Sequence, residues 1–237
     1  MNEGLLTINT GSSSLRSAVY DRASLSTLCA PALSVEVSRI GREESRIRIT
    51  GADGGLLRDE ETSIPDHEAA LREWFAGLRD LGMDARIKAA GHRIVHGGAA
   101  YREHQLVTDG LIRSLEELVT LDPEHLPQAI AAVRFVARAL PGVPQVACFD
   151  TAFHRDLPLI ARLFALPRRF AEAGVIRFGF HGLSYEYVMK ARCKSSTLRP
   201  RAAESSSPTW ETARAWPPSA TATASTQRWA SHRRGAS

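Results

Sequence analysis

Apolar and polar residues alternate with period two through most of the first fifty positions, the spacing that places every second side chain on one face of a strand. LLTINT and LRSAVY predict two short strands joined by a Gly-Ser turn, a β-hairpin. LSVEVSRI and SRIRIT continue the alternation, so a sheet of three or four mainly antiparallel strands opens the chain, and GADGG marks a turn between strands. From Pro65 the period becomes helical: Ala69, Leu71, Trp74, Phe75 and Leu78 recur at three- and four-residue spacing and the pattern ends before Gly82. IKAAGHRIVHGG predicts a buried strand running into a glycine turn. DGLIRSLEELVTLDP predicts a second amphipathic helix, capped by Asp109 with Leu111, Leu115 and Leu118 on one face, and HLPQAIAAVRFVARALPG a third. VPQVACFDTAFH returns to a buried strand that ends in an acid, and LSYEYVMKAR closes the series as a helix. Strands first, then alternating helices and strands, is an α/β arrangement on a mixed sheet, without internal repeat.

That periodicity stops near residue 192. Beyond it stand three of the four tryptophans (Trp210, Trp216, Trp229) and runs such as SSSPTWETARAWPPSATATAST, a composition too poor in burial to offset chain entropy. Residues 192–237 are therefore expected to be a disordered tail. The formal charge of +4 belongs to the same segment, since residues 193–237 hold seven Lys and Arg against Glu204 and Glu211, leaving 23 basic and 24 acidic groups in the rest. With no stacking platform or motif around those basic residues, a nucleic-acid partner is not expected. No apolar run approaches the roughly 18 residues that span a bilayer, so no membrane partner is expected either, and MNEGLLTINTGSSS has neither the basic nor the apolar region of a secretory signal. Cys29, Cys148 and Cys193 have no metal or disulfide spacing. The expected location is the cytoplasm.

Four segments could carry chemistry. Asn9-Thr10-Gly11-Ser12-Ser13-Ser14, followed by Arg16, offers a close-approach glycine, hydroxyls and a guanidinium, which suits a phosphate; taken alone it reads first as a plain hairpin turn. His92-Arg93-Ile94-Val95-His96-Gly97-Gly98 places an arginine at a strand end, suited to capturing a carboxylate or phosphoryl group, while His92 and His96 read as structural histidines. Phe149-Asp150-Thr151-Ala152-Phe153-His154 puts a carboxylate at the end of an apolar strand, for proton or Mg²⁺ chemistry or as a cap. Gly179-Phe180-His181-Gly182-Leu183-Ser184 sets a histidine between glycines before a helix, as an anion donor or a turn residue.

Together and in order, these segments resemble the acetate kinase family, whose signatures run NxGSSS, HRVVHGG, FDTAFH and GFHGxSH. The resemblance covers residues 5 to about 191, roughly the first half of a family member. It implies the fold of the actin, Hsp70 and sugar kinase superfamily, α/β and ribonuclease-H-like, with residues 1–150 as the N-terminal domain and 151–191 as the start of a second, nucleotide-side domain. It implies reversible transfer of the γ-phosphoryl group of ATP to acetate, propionate or butyrate with Mg²⁺, and a homodimer, an expectation we do not extend to a chain of this length. Carried over by position, Asn9 is expected near Mg²⁺ and phosphate and Arg93 on the substrate. Asp150 is expected as the catalytic carboxylate and His181 as the transition-state stabiliser. Val95 and Phe180 would wall the acyl group, and Ser12, Ser14 and Arg16 would face the nucleotide phosphates. The chain departs from the pattern at Arg16, where many members have lysine, at LDPEHLPQ, which puts Glu124 near the acyl pocket, and at Tyr185, which replaces a histidine.

Family members continue past this point with segments of the form VLAHLGNGAS and VDTTMGFTPTGGL, which this frame does not encode. Regrouping the third base of each codon with the first two of the next forces glycine from Trp210-Glu211, alanine from Trp216-Pro217 and glycine from Trp229-Ala230. The free positions permit Ala-His-Leu-Gly-Asn-Gly-Ala-Ser-Met-Ala across residues 207–217 and Val-Asp-Thr-Thr-Met-Gly-Phe-Thr-Pro-Thr-Gly-Gly across 224–236. The expectation is a reading-frame shift near Ala191 or Arg192. A chain without the nucleotide loop is expected to turn over weakly or not at all, the alternative being a non-catalytic fragment that binds phosphate or acyl phosphate.

Overall fold

The computed structural model describes residues 3–25 and 30–195. They fall in one compact unit spanning residues 1–197, and the expected disordered tail, from residue 196 onward, lies outside the described residues together with the frame-shifted motifs. Five strands come first: β1 (Gly4–Thr10), β2 (Ser14–Asp21), β3 (Leu33–Ser38), β4 (Ser45–Gly51) and β5 (Leu56–Thr62). After helix α1 (His67–Asp80) come β6 (Ile87–Ile94), the two-residue β7 (Gln105–Leu106), α2 (Asp109–Glu117), α3 (Leu126–Ala139) and β8 (Gln145–Phe149). All eight strands join one sheet in the order β5-β4-β3-β2-β1-β6-β8-β7. The first five pair antiparallel, β6 and β8 run parallel to β1, and β7 pairs antiparallel at the edge. This is the mixed α/β sheet that the resemblance implies.

Alternation decides which face is covered. Leu6 and Ile8 of β1, Leu15 and Val19 of β2, Val35 and Val37 of β3 and Ile47 and Ile49 of β4 point to one side, where they form a single core with Leu71, Trp74, Phe75 and Leu78 of α1. Helix α1 starts at Asp66, whose carboxylate accepts the Ala69 N–H. Trp74 is fully buried and keeps its indole N–H satisfied by donating to Ser17 Oγ at 2.9 Å. A second cluster, with Leu111, Leu115, Leu126, Ile130 and Phe149, fills the space between α2, α3 and β8.

Three details differ from the sequence reading. The antiparallel part has five strands, because LLRDEET, mostly charged and without apolar alternation, pairs with β4; Asp59 accepts from both Arg46 and Arg48 across that ladder. Thr108 caps α2 in place of Asp109: it has the extended backbone a cap needs and its hydroxyl accepts the Leu111 N–H at 3.1 Å, which makes Asp109 the first helical residue. The last helix, α6 (Gly182–Ser195), continues beyond Arg192, since nothing in ARCKS interrupts a helix. Between β8 and α6 lie a 3₁₀ turn at Asp150–His154 and two short helices, α4 (Leu159–Arg162) and α5 (Arg168–Glu172), whose spacing was too brief to read from sequence.

Because β1, β6 and β8 are parallel neighbours, their C-terminal ends lie side by side. The turns that follow them carry the Gly-Ser, HGG and DTAFH segments, so the order of the strands gathers three of the four motifs.

Candidate active site

Arg93 is the hub of the cluster. It is the penultimate residue of β6 and extends to the sheet face that α1 and α3 leave open, beside Asn9 of β1 and the Asp150 turn after β8. Its Nη1 donates to Asn9 Oδ1 at 3.1 Å, and its Nε and Nη2 both donate to Asp150 Oδ2, at 3.0 and 2.6 Å. His181 Nδ1 stands 3.4 Å from the same Nη2. A guanidinium has five N–H groups, so this arrangement fixes the plane and still leaves a donor for an incoming oxyanion. The side chain is 26% exposed, whereas Asp150 is wholly buried.

Burial of Asp150 is tolerable because every direction is answered. Beyond the two bonds from Arg93, its Oδ1 accepts the Leu183 N–H at 3.3 Å, from the first turn of α6. A carboxylate at a helix N-terminus meets unsatisfied amides and the positive end of the dipole. The approach is so close that a Cβ at Gly182 would fall 1.9 Å from the Asp150 carbonyl oxygen, so only glycine fits there. One residue earlier, His181 has φ +60°, the left-handed region that costs a non-glycine residue about 1–2 kcal/mol. Packing of α6 against the DTAFH turn holds it in that conformation and points its ring at Arg93.

The remaining candidates are more dispersed. Ser12 is exposed and Ser14 half-buried in the turn between β1 and β2, where the Gly11 N–H donates to the Ser14 carbonyl oxygen. Arg16 lies across the strand pair from Asn9, but its guanidinium is 66% exposed and donates to Glu36 Oε1 of β3 from Nε and Nη2. Val95 is half-buried directly after β6, and the Phe180 ring, 40% exposed, lies 5.7 Å from that of His96. Glu124 is exposed, and Tyr185 lies 6.0 Å from the Phe153 ring. The structure thus brings Asn9, Arg93, Asp150 and His181 into one hydrogen-bonded group, to which Ser12, Ser14, Arg16, Val95 and Phe180 do not belong.

Several supporting residues escaped the sequence reading. His67, at the start of α1, reaches the Gly11 carbonyl oxygen with Nε2 at 2.7 Å and so ties the Gly-Ser turn to the helix layer. The Gly97 N–H donates to the Thr151 hydroxyl, and Tyr101 stacks on Phe149 with ring centroids 5.3 Å apart. Only the dense glycines beside these residues hinted at such close packing. Both histidines of the HRIVHGG segment are structural, as their pattern suggested. His92 is buried against the Gln145 amide at 2.7 Å, and burial lowers its pKa to about 4. His96 accepts the Gly98 N–H and packs against the Phe178 ring with the two planes tilted by 59°, and burial lowers its pKa too. Both rings are neutral at pH 7. Burial and Glu186 push the Cys148 thiol up, which removes it as a nucleophile beside Arg93.

Among the described residues no group of three or more His, Cys, Asp and Glu is placed to hold a metal, and no helix is long and apolar enough to cross a membrane. The Asp150 carboxylate is buried with both oxygens engaged, which leaves the Asn9 amide oxygen, accepting one bond from Arg93, as the protein donor at the cluster. An amide oxygen fits Mg²⁺, which binds through one or two protein oxygens and keeps waters and substrate phosphates for the rest of its shell.

This geometry can be set beside known proteins. An acetate kinase from Methylocella silvestris is 41% identical over 197 residues, covering 80% of this chain and 49% of that relative, and one from Rhodopseudomonas palustris is 38% identical over 192. Among solved structures, Porphyromonas gingivalis acetate kinase superposes with a TM-score of 0.70 at 30% identity over 81% of this chain and 48% of the other. A propionate kinase from Francisella tularensis gives the same score at 25% identity. The chain spans about half the length of the curated relatives it matches. Residues 4–203 match the Acetokinase family, a stretch that holds all four motifs and the whole Arg93 cluster, and the chain belongs to that family.

Proposed function

We propose that residues 4–195 form the carboxylate- and phosphoryl-binding face of an enzyme that moves the γ-phosphoryl group between ATP and a short-chain carboxylate, acetate, propionate or butyrate, giving acyl phosphate and ADP. The observation that carries this reading is the Arg93 guanidinium, held flat by Asn9 and Asp150 with an N–H to spare and His181 beside it. The names of the relatives, acetate kinase and propionate kinase, support the substrate class.

In such a transfer a carboxylate oxygen attacks the γ-phosphorus while the bond to the ADP oxygen breaks, and ADP leaves with the electron pair. An acetate-like nucleophile is already ionised at pH 7, so no general base is required, and positioning and charge neutralisation carry the catalysis. This fits an Asp150 whose oxygens are both engaged: its proposed work is to hold Arg93 and the start of α6. Arg93 receives the carboxylate or phosphoryl oxygens, and His181 donates to the transferring group. Val95 and Phe180 flank the acyl chain, and Ser12, Ser14 and Arg16 face the nucleotide phosphates. Asn9 is the group that would hold Mg²⁺, whose charge would neutralise phosphoryl oxygens. Residues 1–150 would then be one domain and 151–191 the start of the next, in a cytoplasmic enzyme that pairs as a homodimer when its second domain is complete.

A second reading, binding without transfer, is favoured for this chain by one observation: residues 193–237 do not encode the glycine-rich nucleotide segment in their frame. A coupled ADP assay with ATP, acetate and Mg²⁺ tests the pair. Turnover absent or very weak is expected for this chain, with ordinary acetate kinase rates in a version whose frame is restored. Ordinary rates in the present chain would overturn the second reading, and no activity in the restored one would overturn the first.

A further inference from the structure

Residues 155–177 carry five arginines against Asp156 and Glu172, an excess hidden in the near-neutral balance of the first 192 residues. The fold gathers Arg155, Arg162 and Arg177 of this stretch with Arg102 around one cavity of about 80 Å³. Backbone contacts set their spacing. The Arg177 N–H donates to the Arg162 carbonyl oxygen at 2.7 Å, joining the end of α4 to the stretch before Gly179. Arg102 Nη2 donates to the Arg155 carbonyl oxygen, also at 2.7 Å.

The charges are poorly compensated. Asp156 is 3.8 Å from Arg102 and 3.5 Å from Arg155, and it is the one carboxylate ion-paired with the four among the described residues. Arg177 lays its guanidinium on the Phe164 ring at 5.2 Å. The Arg162 side chain has no hydrogen bond or ion pair among the described residues. Like charges lining one cavity repel, and an anion between them relieves the repulsion. Arginine is the side chain best shaped for phosphate oxygens.

We propose that this cavity binds a phosphate-class dianion, free or as a small phosphomonoester. Its volume is several times the about 10–15 Å³ that a single water needs, enough for a tetrahedral oxyanion. None of Asn9, Arg93, Asp150 and His181 lines it, so it is separate from the cluster above, yet it touches the same segment. Thr151 of its wall follows Asp150, and Gly179 sits so close to the His154 ring that a Cβ there would fall 2.4 Å from it. An anion in the cavity therefore ties Arg177, two residues before Gly179, to the turn that carries Asp150, and steadies the stretch that ends in His181.

Calorimetric titration of the full chain with inorganic phosphate, and separately with glycerol 3-phosphate, tests this. The double variant Arg162→Gln/Arg177→Gln should lose one class of phosphate site or weaken it about tenfold, and Arg93→Lys should leave that class unchanged. Glycerol 3-phosphate matching inorganic phosphate assigns the site to phosphomonoesters as well; failure of the ester alone restricts it to the free anion. Far-UV circular dichroism checks that the double variant is folded, and Arg102→Gln, at a largely exposed side chain, provides a milder second variant. Should both variants titrate like the parent, or the parent show no saturable binding at millimolar phosphate, the proposal is overturned. An isotherm abolished by the arginine pair and indifferent to Arg93→Lys would support this site while counting against the Arg93 reading, so the two fail separately.

Discussion

Two stretches of this chain solve the burial problem differently. From Gly4 to Ala152 the apolar residues are matched to partners: strands alternate buried and half-buried positions, and both hydrophobic clusters lie within this stretch. After Ala152, Gly182 is the one residue that is fully buried among those described, and Leu159, Ile160, Phe164, Leu166, Phe170, Val175, Phe180, Tyr185, Tyr187 and Val188 all stand exposed. The first stretch owes its structure to a core it builds itself. The second is held by a few directed contacts, Leu183 to Asp150, the Gly182 approach and the Arg162–Arg177 backbone bond, and its apolar surface stays in water. The Arg93 cluster straddles the two, with Asn9, Arg93 and Asp150 on the self-sufficient part and His181 on the dependent one.

The largest test of that contrast is in the core. Trp74→Ala should cost about 3–5 kcal/mol in a urea titration, from lost burial, the cavity it leaves and the orphaned Ser17 partner. A drop below about 1 kcal/mol would mean that the α1 layer does not carry the first stretch.

Acid is the next lever. His92 titrates at about 4 when folded and near 6.5 when unfolded, so the unfolded chain binds more protons between those values and stability falls as pH is lowered through that window. The loss is at most about 3 kcal/mol. His92→Asn should flatten the curve between pH 6.5 and 4; an unchanged slope would assign the acid sensitivity elsewhere.

Gly182→Ala should cost about 1–3 kcal/mol by forcing α6 from the Asp150 carbonyl. Protease should also cut residues 155–181 sooner in this variant, with residues 4–149 still protected. Ile160→Ser, at an 84% exposed position, should move stability by less than about 0.5 kcal/mol. A loss comparable to a core substitution would show that the second stretch buries that side chain after all.

How far the sequence reached follows the same division. The alternation of LLTINT and the three- and four-residue spacing around Trp74 gave β1 and α1 directly, because burial imposes those periods. β5 was missed because its charges pair across the ladder instead of alternating, and α4 and α5 because one helical turn leaves no period to read. At the site, the order of the four motifs was visible, but the Arg93 hub was not: Asn9 and Asp150 are 141 positions apart, and only the parallel placement of β1, β6 and β8 brings both to one guanidinium. The arginine cavity was concealed for a simpler reason, since net charge summed over 192 residues averages away a local excess.

The central claim is that Arg93, posed by Asn9 and Asp150, receives the acyl phosphate. Titration of the parent and Arg93→Lys with acetyl phosphate tests it most directly, because lysine keeps the charge opposite buried Asp150 while losing the planar fork. The account predicts saturable binding in the parent and an affinity about tenfold lower or worse in the variant, with the circular dichroism spectrum unchanged. Equal affinities in the two, or no binding in a folded parent, would contradict it.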